Sequence, residues 1–192
     1  MTHYFEIQLL PDAEFVPTLL MNVLYAKLHR VLATMQPFNI GVSFPGYAKK
    51  EKGVKASLGK VLRLHGTESD LQKLLDSSWF TGMNDHISVS KIYPVPDATK
   101  WWAVRRVQAM SNVDRLRRRQ MRRHSLTEEE VIAKYPDTIK EKLALPFVSL
   151  KSQSTGGRLF RLFIQQEEIN MLSPGSFNAY GLSQTATLPA FN

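Results

Sequence analysis

Over residues 1 to 95 the hydrophobic pattern switches from period two to a helical period and back in a set order, which narrows the folds open to the chain. His3 to Leu10 alternates, with Phe5, Ile7 and Leu9 on one side and Tyr4, Glu6 and Gln8 on the other, so a half-buried strand is predicted. Pro11-Asp12 ends it. From about Phe15 to Met35, Leu20, Val23, Leu24, Leu28, Val31 and Leu32 recur at the spacing of an amphipathic helix. On that helix Thr18, Asn22, Tyr25 and His29 fall at i, i+4, i+7 and i+11, a mixed polar flank that puts His29 beside Leu28 and the core stripe. Ile40, Val42 and Phe44 alternate into a second strand before Pro45-Gly46, and Lys49, Lys50, Lys52 and Lys55 then make a basic, mobile loop. A third strand around Val61 to His65 enters the capping box Thr67-Glu68-Ser69-Asp70, with Leu71, Leu74 and Leu75 as the buried side of a short helix. His86 to Tyr93 supplies the fourth strand. This order is that of a ferredoxin-like βαββαβ domain, expected over residues 1–97, and the fold class is α+β. The third strand, LGKVLRLHG, lacks the aromatics that stack unpaired bases on RNA-recognition sheets, so such stacking is not expected on this one.

Pro94, Pro96 and Asp97 mark a boundary, and residues 98–192 form the second, smaller domain. Trp101 to Gln108 is an extended segment leading into a helix over 111–124, SNVDRLRRRQMRRH, with Ser111 and Asp114 spaced as a capping box. Six arginines and no lysine occupy that stretch, and Arg115, Arg118, Arg119 and Arg122 share one helical face. Like charge so concentrated repels itself unless something negative lies opposite. Either the following Glu128, Glu129 and Glu130 serve, or a phosphate backbone does, and the planar fork of arginine favours the phosphate and guanine edges of a nucleic acid. Further on, Thr127 to Glu130 caps a short helix, and Pro136 and Pro146 bracket another. Phe147 to Leu150 and Leu159 to Ile164 are two strands around a turn at 152–157, and Phe177 to Asn192 carries no firm local signal.

Charge follows the same division. Residues 1–97 hold 10 Lys/Arg against 9 Asp/Glu, whereas 98–192 hold 15 against 8, so +7 of the net +8 lies in the second half. There is no cysteine, hence no thiolate metal site or cysteine nucleophile, and no phosphate-loop, dinucleotide-binding or zinc-spacing motif. No carboxylate cluster of the magnesium-holding kind is present either, so neither a metal nor another cofactor is expected. The longest charge-free apolar stretch, Phe15 to Ala26, is too short to span a bilayer, and the arginine helix lacks an apolar face to lie on one. A cytoplasmic protein without membrane association is expected.

The chemistry left is that of histidines, hydroxyls, tyrosines and fixed cations. RNA can be cut without metal, because its 2′-OH attacks the neighbouring phosphate once a base removes the proton and a positive group meets the developing charge. A histidine suits the base role. His3 stands at a strand start, His65 and His86 flank strands, His124 ends the arginine helix as a possible phosphate contact, and His29 sits on the long helix. The hydroxyls of the 152–157 turn, Ser154 and Thr155 among them, either close a hairpin or face a phosphate.

Several blocks in order along nearly the whole chain carry a more specific likeness: KLH at 27–29, IGVSFP at 40–45, RVQAMSN at 106–112, RLRRRQMRRH at 115–124, LPFVSLKSQSTG at 145–156, FRLFI at 160–164 and YGLS at 180–183. In these the chain resembles the CRISPR-associated repeat-processing endoribonucleases of type I-F systems, the Csy branch of the Cas-six family. The resemblance implies metal-free cleavage of precursor CRISPR RNA at the base of its repeat hairpin, leaving a 2′,3′-cyclic phosphate and a 5′-hydroxyl, with the product kept bound. It implies His29 as general base, Ser152 as the group holding the attacking nucleotide, and Tyr180 as the residue orienting the site. Arg106 and Gln108 are implied to read base edges of the lower stem, Arg119 a guanine near the loop, and Arg115, Arg122 and Arg123 to grip phosphates. Phe160 is implied to stack on the terminal base pair, with Gly157-Arg158-Leu159 intervening between the turn and it, one residue more than the family pattern has. The implied partners are the repeat RNA and the other subunits of a type I-F surveillance complex. Read without the resemblance, the arginines serve equally a noncatalytic protein that binds RNA hairpins.

Overall fold

The computed structural model describes residues 1–35, 39–108, 113–124, 126–134, 144–152 and 156–191, with the backbone alone for 113–116 and 119. The expected box around Ser111 and the helix between Pro136 and Pro146 lie outside the described residues. The architecture is α+β, with two antiparallel sheets.

The first sheet is built from β1 (His3–Leu9), β2 (Gly41–Ser43), β3 (Val61–Gly66), β4 (Ile87–Val89) and β5 (Tyr93–Pro94). Its order β2-β3-β1-β4 is that of the ferredoxin-like arrangement, with α1 (Pro17–Thr34) and α2 (Glu68–Asp76) as the connecting helices. Thr67 caps α2 as expected, its side chain accepting from the Asp70 N–H, and Leu71 and Leu74 are buried beneath it. The fourth strand is interrupted, not continuous over His86 to Tyr93. At Ser90 the backbone N–H still donates to the Glu6 carbonyl, but the side-chain oxygen accepts the Glu6 N–H at 2.9 Å, so a hydroxyl takes the place of one of the two ladder bonds. Pairing with β1 resumes only where Tyr93 meets Tyr4.

The second sheet has the order β7-β8-β6-β9, from β6 (Trp101–Val107), β7 (Phe147–Lys151), β8 (Leu159–Ile169) and β9 (Leu188–Pro189). Strand β8 runs five residues past the predicted end at Ile164, because it pairs with β6 as far as Ile169. Between β6 and β7 come α3 (Val113–His124) and α4 (Glu128–Lys134). Thr127 and Glu130 cap α4 reciprocally: the Thr127 hydroxyl accepts from the Glu130 N–H, and the Glu130 carboxylate accepts from the Thr127 N–H and hydroxyl. These bonds hold the Glu130 carboxyl below the usual range.

Buried residues of both sheets make one core, from Phe5, Ile7, Leu24 and Leu62 to Val104, Val148, Leu162 and Leu188. Polar side chains close the sheet edges where the two halves meet. The outward N–H of Ser149, on edge strand β7, is bonded to the Asn22 side chain of α1 at 2.8 Å. Just past edge strand β2 the Gln166 amide both accepts from the Phe44 N–H and donates to the Phe44 carbonyl, as a neighbouring strand would.

Two expectations about α1 and β2 are corrected by this packing. Tyr25, placed on a polar flank, is fully buried, while Val23, placed in the core stripe, is 41% exposed. The side of α1 facing the second half is covered, which rotates the buried stripe toward Met21 and Tyr25. Strand β2 is buried along its whole length, Gly41 and Ser43 included, because the C-terminal segment crosses its other face. A Cβ on Gly41 would sit 2.5 Å from Leu188 and 2.8 Å from Phe177, so only glycine fits that crossing. Phe191 continues the cover, edge-on to Tyr4 and under the Arg63 guanidinium. Where an RNA-recognition sheet is open this one is covered, and His65, expected at a strand flank, is fully buried there with Nε2 bonded to Ser43.

Candidate active site

The YGLS block forms a tight turn against the end of α1. Asn178 builds it: its side-chain oxygen accepts from the N–H groups of Tyr180 and Leu182, and its carbonyl accepts from the Gly181 N–H. Gly181 has φ +70°, and a Cβ there would lie 2.4 Å from a methyl of Val42. The turn is also tied to β2 by the bond from the Val42 N–H to the Gly181 carbonyl, 2.9 Å. From below, the buried Tyr25 hydroxyl donates to the Tyr180 carbonyl at 2.8 Å. Burial pushes the Tyr25 phenol well above its ordinary range, with Tyr180 adding to the effect, so it stays a neutral donor.

This turn seats His29. Its Nδ1 lies 2.8 Å from the Ala179 carbonyl oxygen. A carbonyl can only accept, so the proton of the neutral ring is on Nδ1, and Nε2 carries the lone pair. The ring is stacked on Tyr180 with centroids 3.9 Å apart and planes 12° apart. The bond fixes the swing of the imidazole and the stack fixes its plane, so the direction of Nε2 is set from two sides. The Arg106 guanidinium, from β6, stands 5.7 Å from the Tyr180 ring centre. An imidazole, an aromatic plate and a cation from three distant segments thus meet in one place.

Ser152 follows directly on β7. Its backbone closes the turn to β8, the Ser152 N–H donating to Arg158 and the Gly157 N–H to Ser152, each at 2.9 Å. The segment does close a hairpin, and Ser154 and Thr155 lie outside the described residues. The same strand is joined to α1 through Ser149 and Asn22, seven residues or about two turns before His29. Phe160 shares the inner face of β8 with Leu162 and Ile164 and is half-buried against the core, whereas Leu159 beside it is 71% exposed. Gln108 is exposed just beyond β6. On α3, Arg122, Arg123 and His124 are exposed in the last turn, and the side chains of Arg115 and Arg119 are outside the description. Among the described residues no three histidines or carboxylates stand together as metal ligands, and no helix is long and apolar enough to cross a membrane.

The family described as CRISPR-associated protein (Cas_Csy4) matches residues 4–191. The chain belongs to the Cas_Csy4 family. Two curated relatives agree. It is 45% identical over 192 residues to the CRISPR-associated endonuclease Cas6/Csy4 of Pseudomonas aeruginosa (strain UCBPP-PA14), covering 100% of both chains. To the protein of the same name from Escherichia coli (strain UTI89 / UPEC) it is 43% identical over 193 residues, again with 100% of both covered.

In this Cas_Csy4 chain, the residues that sequence reasoning passed over are those that hold the site together. Ala179 contributes only a carbonyl, which no side-chain pattern reveals. Asn178 had a signal in its position ahead of Gly181, an asparagine-to-glycine turn. Tyr25 had one too, since Met21, Leu24, Tyr25 and Leu28 form a second stripe at helical spacing.

Proposed function

We propose that this protein is a metal-independent endoribonuclease that cleaves precursor CRISPR RNA at the base of the repeat hairpin and remains on its product. His29 Nε2 takes the proton of the 2′-OH, the freed 2′-oxygen attacks the adjacent phosphorus, and the bond to the 5′-oxygen breaks. The products are a 2′,3′-cyclic phosphate and, after protonation of the leaving oxygen, a 5′-hydroxyl. Tyr180 holds the imidazole in plane, and Ser152 holds the attacking nucleotide. Arg106 is near enough to the Tyr180 ring to meet charge developing beside it. The single observation that carries this reading is the His29–Ala179 bond, which leaves Nε2 as an acceptor in the neutral ring.

Arg106 and Gln108 read the lower stem, Arg119 a guanine near the loop, and Arg115, Arg122, Arg123 and His124 grip phosphates, with Ser154 and Thr155 beside Ser152. Phe160 stacks on the terminal pair. A-form RNA has a major groove too deep and narrow for side chains, so the arginine helix enters where a short stem is opened by its loop. Most of these contacts lie in the uncut stem and survive cleavage, hence the retention of product. Held there, the RNA and the protein take their place in the cytoplasm among the other subunits of a type I-F surveillance complex.

The test is cleavage of a short RNA hairpin bearing the host's repeat, in excess chelator, by the parent and by His29→Ala. The parent is expected to cut and leave a cyclic phosphate, and the variant to bind without cutting. Loss of cutting by the parent in chelator overturns metal independence. If both bind and neither cuts with or without metal, the protein is a noncatalytic RNA-hairpin binder.

A further inference from the structure

The second sheet has an outer face that takes no part in the proposed cleavage or stem contacts. Cα partners share a face, so Phe147, Phe163 and Val107 form one row across β7, β8 and β6, with Arg161, Lys151 and Leu159 to one side and Arg105 to the other. Phe147 and Phe163 meet edge-to-face at 5.4 Å, and the Arg161 guanidinium lies 4.6 Å from the Phe147 ring centre. Phe147 is nonetheless 38% exposed and Leu159 71% exposed. Arg105 and Arg106 are neighbours on β6 that point oppositely, Arg106 toward Tyr180 and Arg105 onto this outer face beside Glu167.

Past Pro146, β7 no longer flanks β8, and the chain between β2 and β3 takes its place. Tyr47 donates to the Ile164 carbonyl at 3.3 Å, and Lys49 pairs with Glu167 at 3.0 Å. Beyond Lys49 the lysine-rich loop is a small ribbon closed by bridges between Ala48 and Ser57 and between Glu51 and Val54, with Lys50, Lys52 and Lys55 exposed. The loop expected to be mobile is thus joined at Tyr47 and Lys49 to the edge of this face.

We propose that the outer face of the second sheet, with the lysine ribbon at its end, carries unpaired RNA flanking the hairpin; this rests on the function proposed above. Charge complementarity selects the occupant. Among the described residues Lys151, Arg161 and Arg105 line the face, its carboxylate Glu167 is already paired with Lys49, and the ribbon continues the strip with three more exposed lysines against one exposed carboxylate, Glu51. The exposed ring and the guanidinium over it offer flat faces to flat bases, as single-strand-binding surfaces do. A sheet cannot enter the narrow major groove of duplex RNA, so the strand it carries is unpaired. From Leu159 to Glu167 the strip runs about 27 Å at roughly 3.4 Å per residue. It starts at the Ser152 turn, so a strand leaving the proposed site can pass onto it.

The experiment measures binding of three RNAs: the bare repeat hairpin, the hairpin with about ten unpaired nucleotides on its 5′ side, and the same on its 3′ side. All carry 2′-deoxy nucleotides around the stem base, so that none is cut. At least one extension is expected to tighten binding about tenfold. Arg161→Ala, and separately Lys50→Gln with Lys52→Gln and Lys55→Gln, should remove most of that gain while leaving binding of the bare hairpin unchanged, and cutting of an all-ribose bare hairpin, assayed separately, should also be unchanged. Equal affinity for all three RNAs overturns the proposal and leaves the face to a protein partner. Equal weakening of every RNA by the variants overturns it as well. Failure to bind even the bare hairpin is a different result, which brings down the proposed function and this inference with it.

Discussion

The imidazole of His29 lies flat against the phenol ring of Tyr180, with centroids 3.9 Å and planes 12° apart. Because the ring supplies the contact, Tyr180→Phe should keep the stack and cleave a repeat hairpin within about threefold of the parent. Tyr180→Ala frees the imidazole to tilt, and a displacement of about 1 Å can cost about 10²-fold in rate. Single-turnover cleavage distinguishes the two. Equal losses in both variants would mean that the hydroxyl, and not the plate, is what the reaction needs.

Beneath that stack, the Tyr25 hydroxyl is the buried donor to the Tyr180 carbonyl. Tyr25→Phe removes one buried bond and leaves an acceptor unsatisfied, so unfolding stability should fall by about 1 to 3 kcal/mol. Denaturant titration reads this directly. A variant as stable as the parent would show that water replaces the phenol at the carbonyl.

Gly181 governs the approach of the whole turn to β2. Alanine there would hold a strained φ of +70° and press on Val42 at 2.4 Å. The strain and the overpacking together should cost about 2 to 4 kcal/mol. Relief by moving the turn would carry Ala179 and Tyr180 away from His29, so cleavage should fall even at temperatures where the variant stays folded. Melting and rate both at parental values would show that the turn is not pinned in this way.

The elements of the first half were legible because most have one apolar side and one polar side, and α2 has its cap written in Thr67 and Asp70. Legibility failed where a second layer decides the matter. The stripe through Tyr25 is local, but nothing local says what receives its hydroxyl or what covers the small residues of β2, because the covering chain comes from residues 177 to 191. Apart from the turn at Asn178 and Gly181, that C-terminal segment had no signal of its own. Its order comes from bonds to distant partners, such as Ala190 N–H to the Lys100 carbonyl and Ser183 N–H to that of Val104. The site had the same difficulty. His29 was visible as a polar residue beside a core stripe, but its partner Ala179 is 150 residues away, and only the family likeness joined the KLH block to the YGLS block.

The exposed arginines at the end of α3 make a prediction about salt. If Arg122 and Arg123 contact phosphates, hairpin affinity should fall steeply with added salt, and each arginine-to-alanine change should lower the slope of log affinity against log salt by about one. Arg119→Ala should act differently if it reads a guanine, costing about 1 to 3 kcal/mol for the matched stem and little for a mismatched one. Titrations at several salt concentrations, with matched and altered stems, separate these roles. Equal effects on every stem would make Arg119 another phosphate contact.

His65 links stability to acid. It is fully buried, and burial, with Arg63 and the N-terminal amine adding to it, pulls its pKa from 6.5 down to about 3. Between those values the unfolded chain takes up a proton that the folded chain refuses. Stability should therefore decline as pH falls below about 6.5, by up to about 1.4 kcal/mol per unit, and be insensitive to this residue above that. Asp12, Glu130 and Glu167 are also held below their ordinary values, but those are 3.8, 4.5 and 4.5, so their contributions are lost only at lower pH. The interval from about 4.5 to 6.5 is thus where His65 acts without them. His65→Gln keeps a side-chain partner for Ser43 and cannot titrate, so its stability should be flatter with pH over that interval. Parallel curves for parent and variant would show that the buried imidazole is protonated in the folded protein after all.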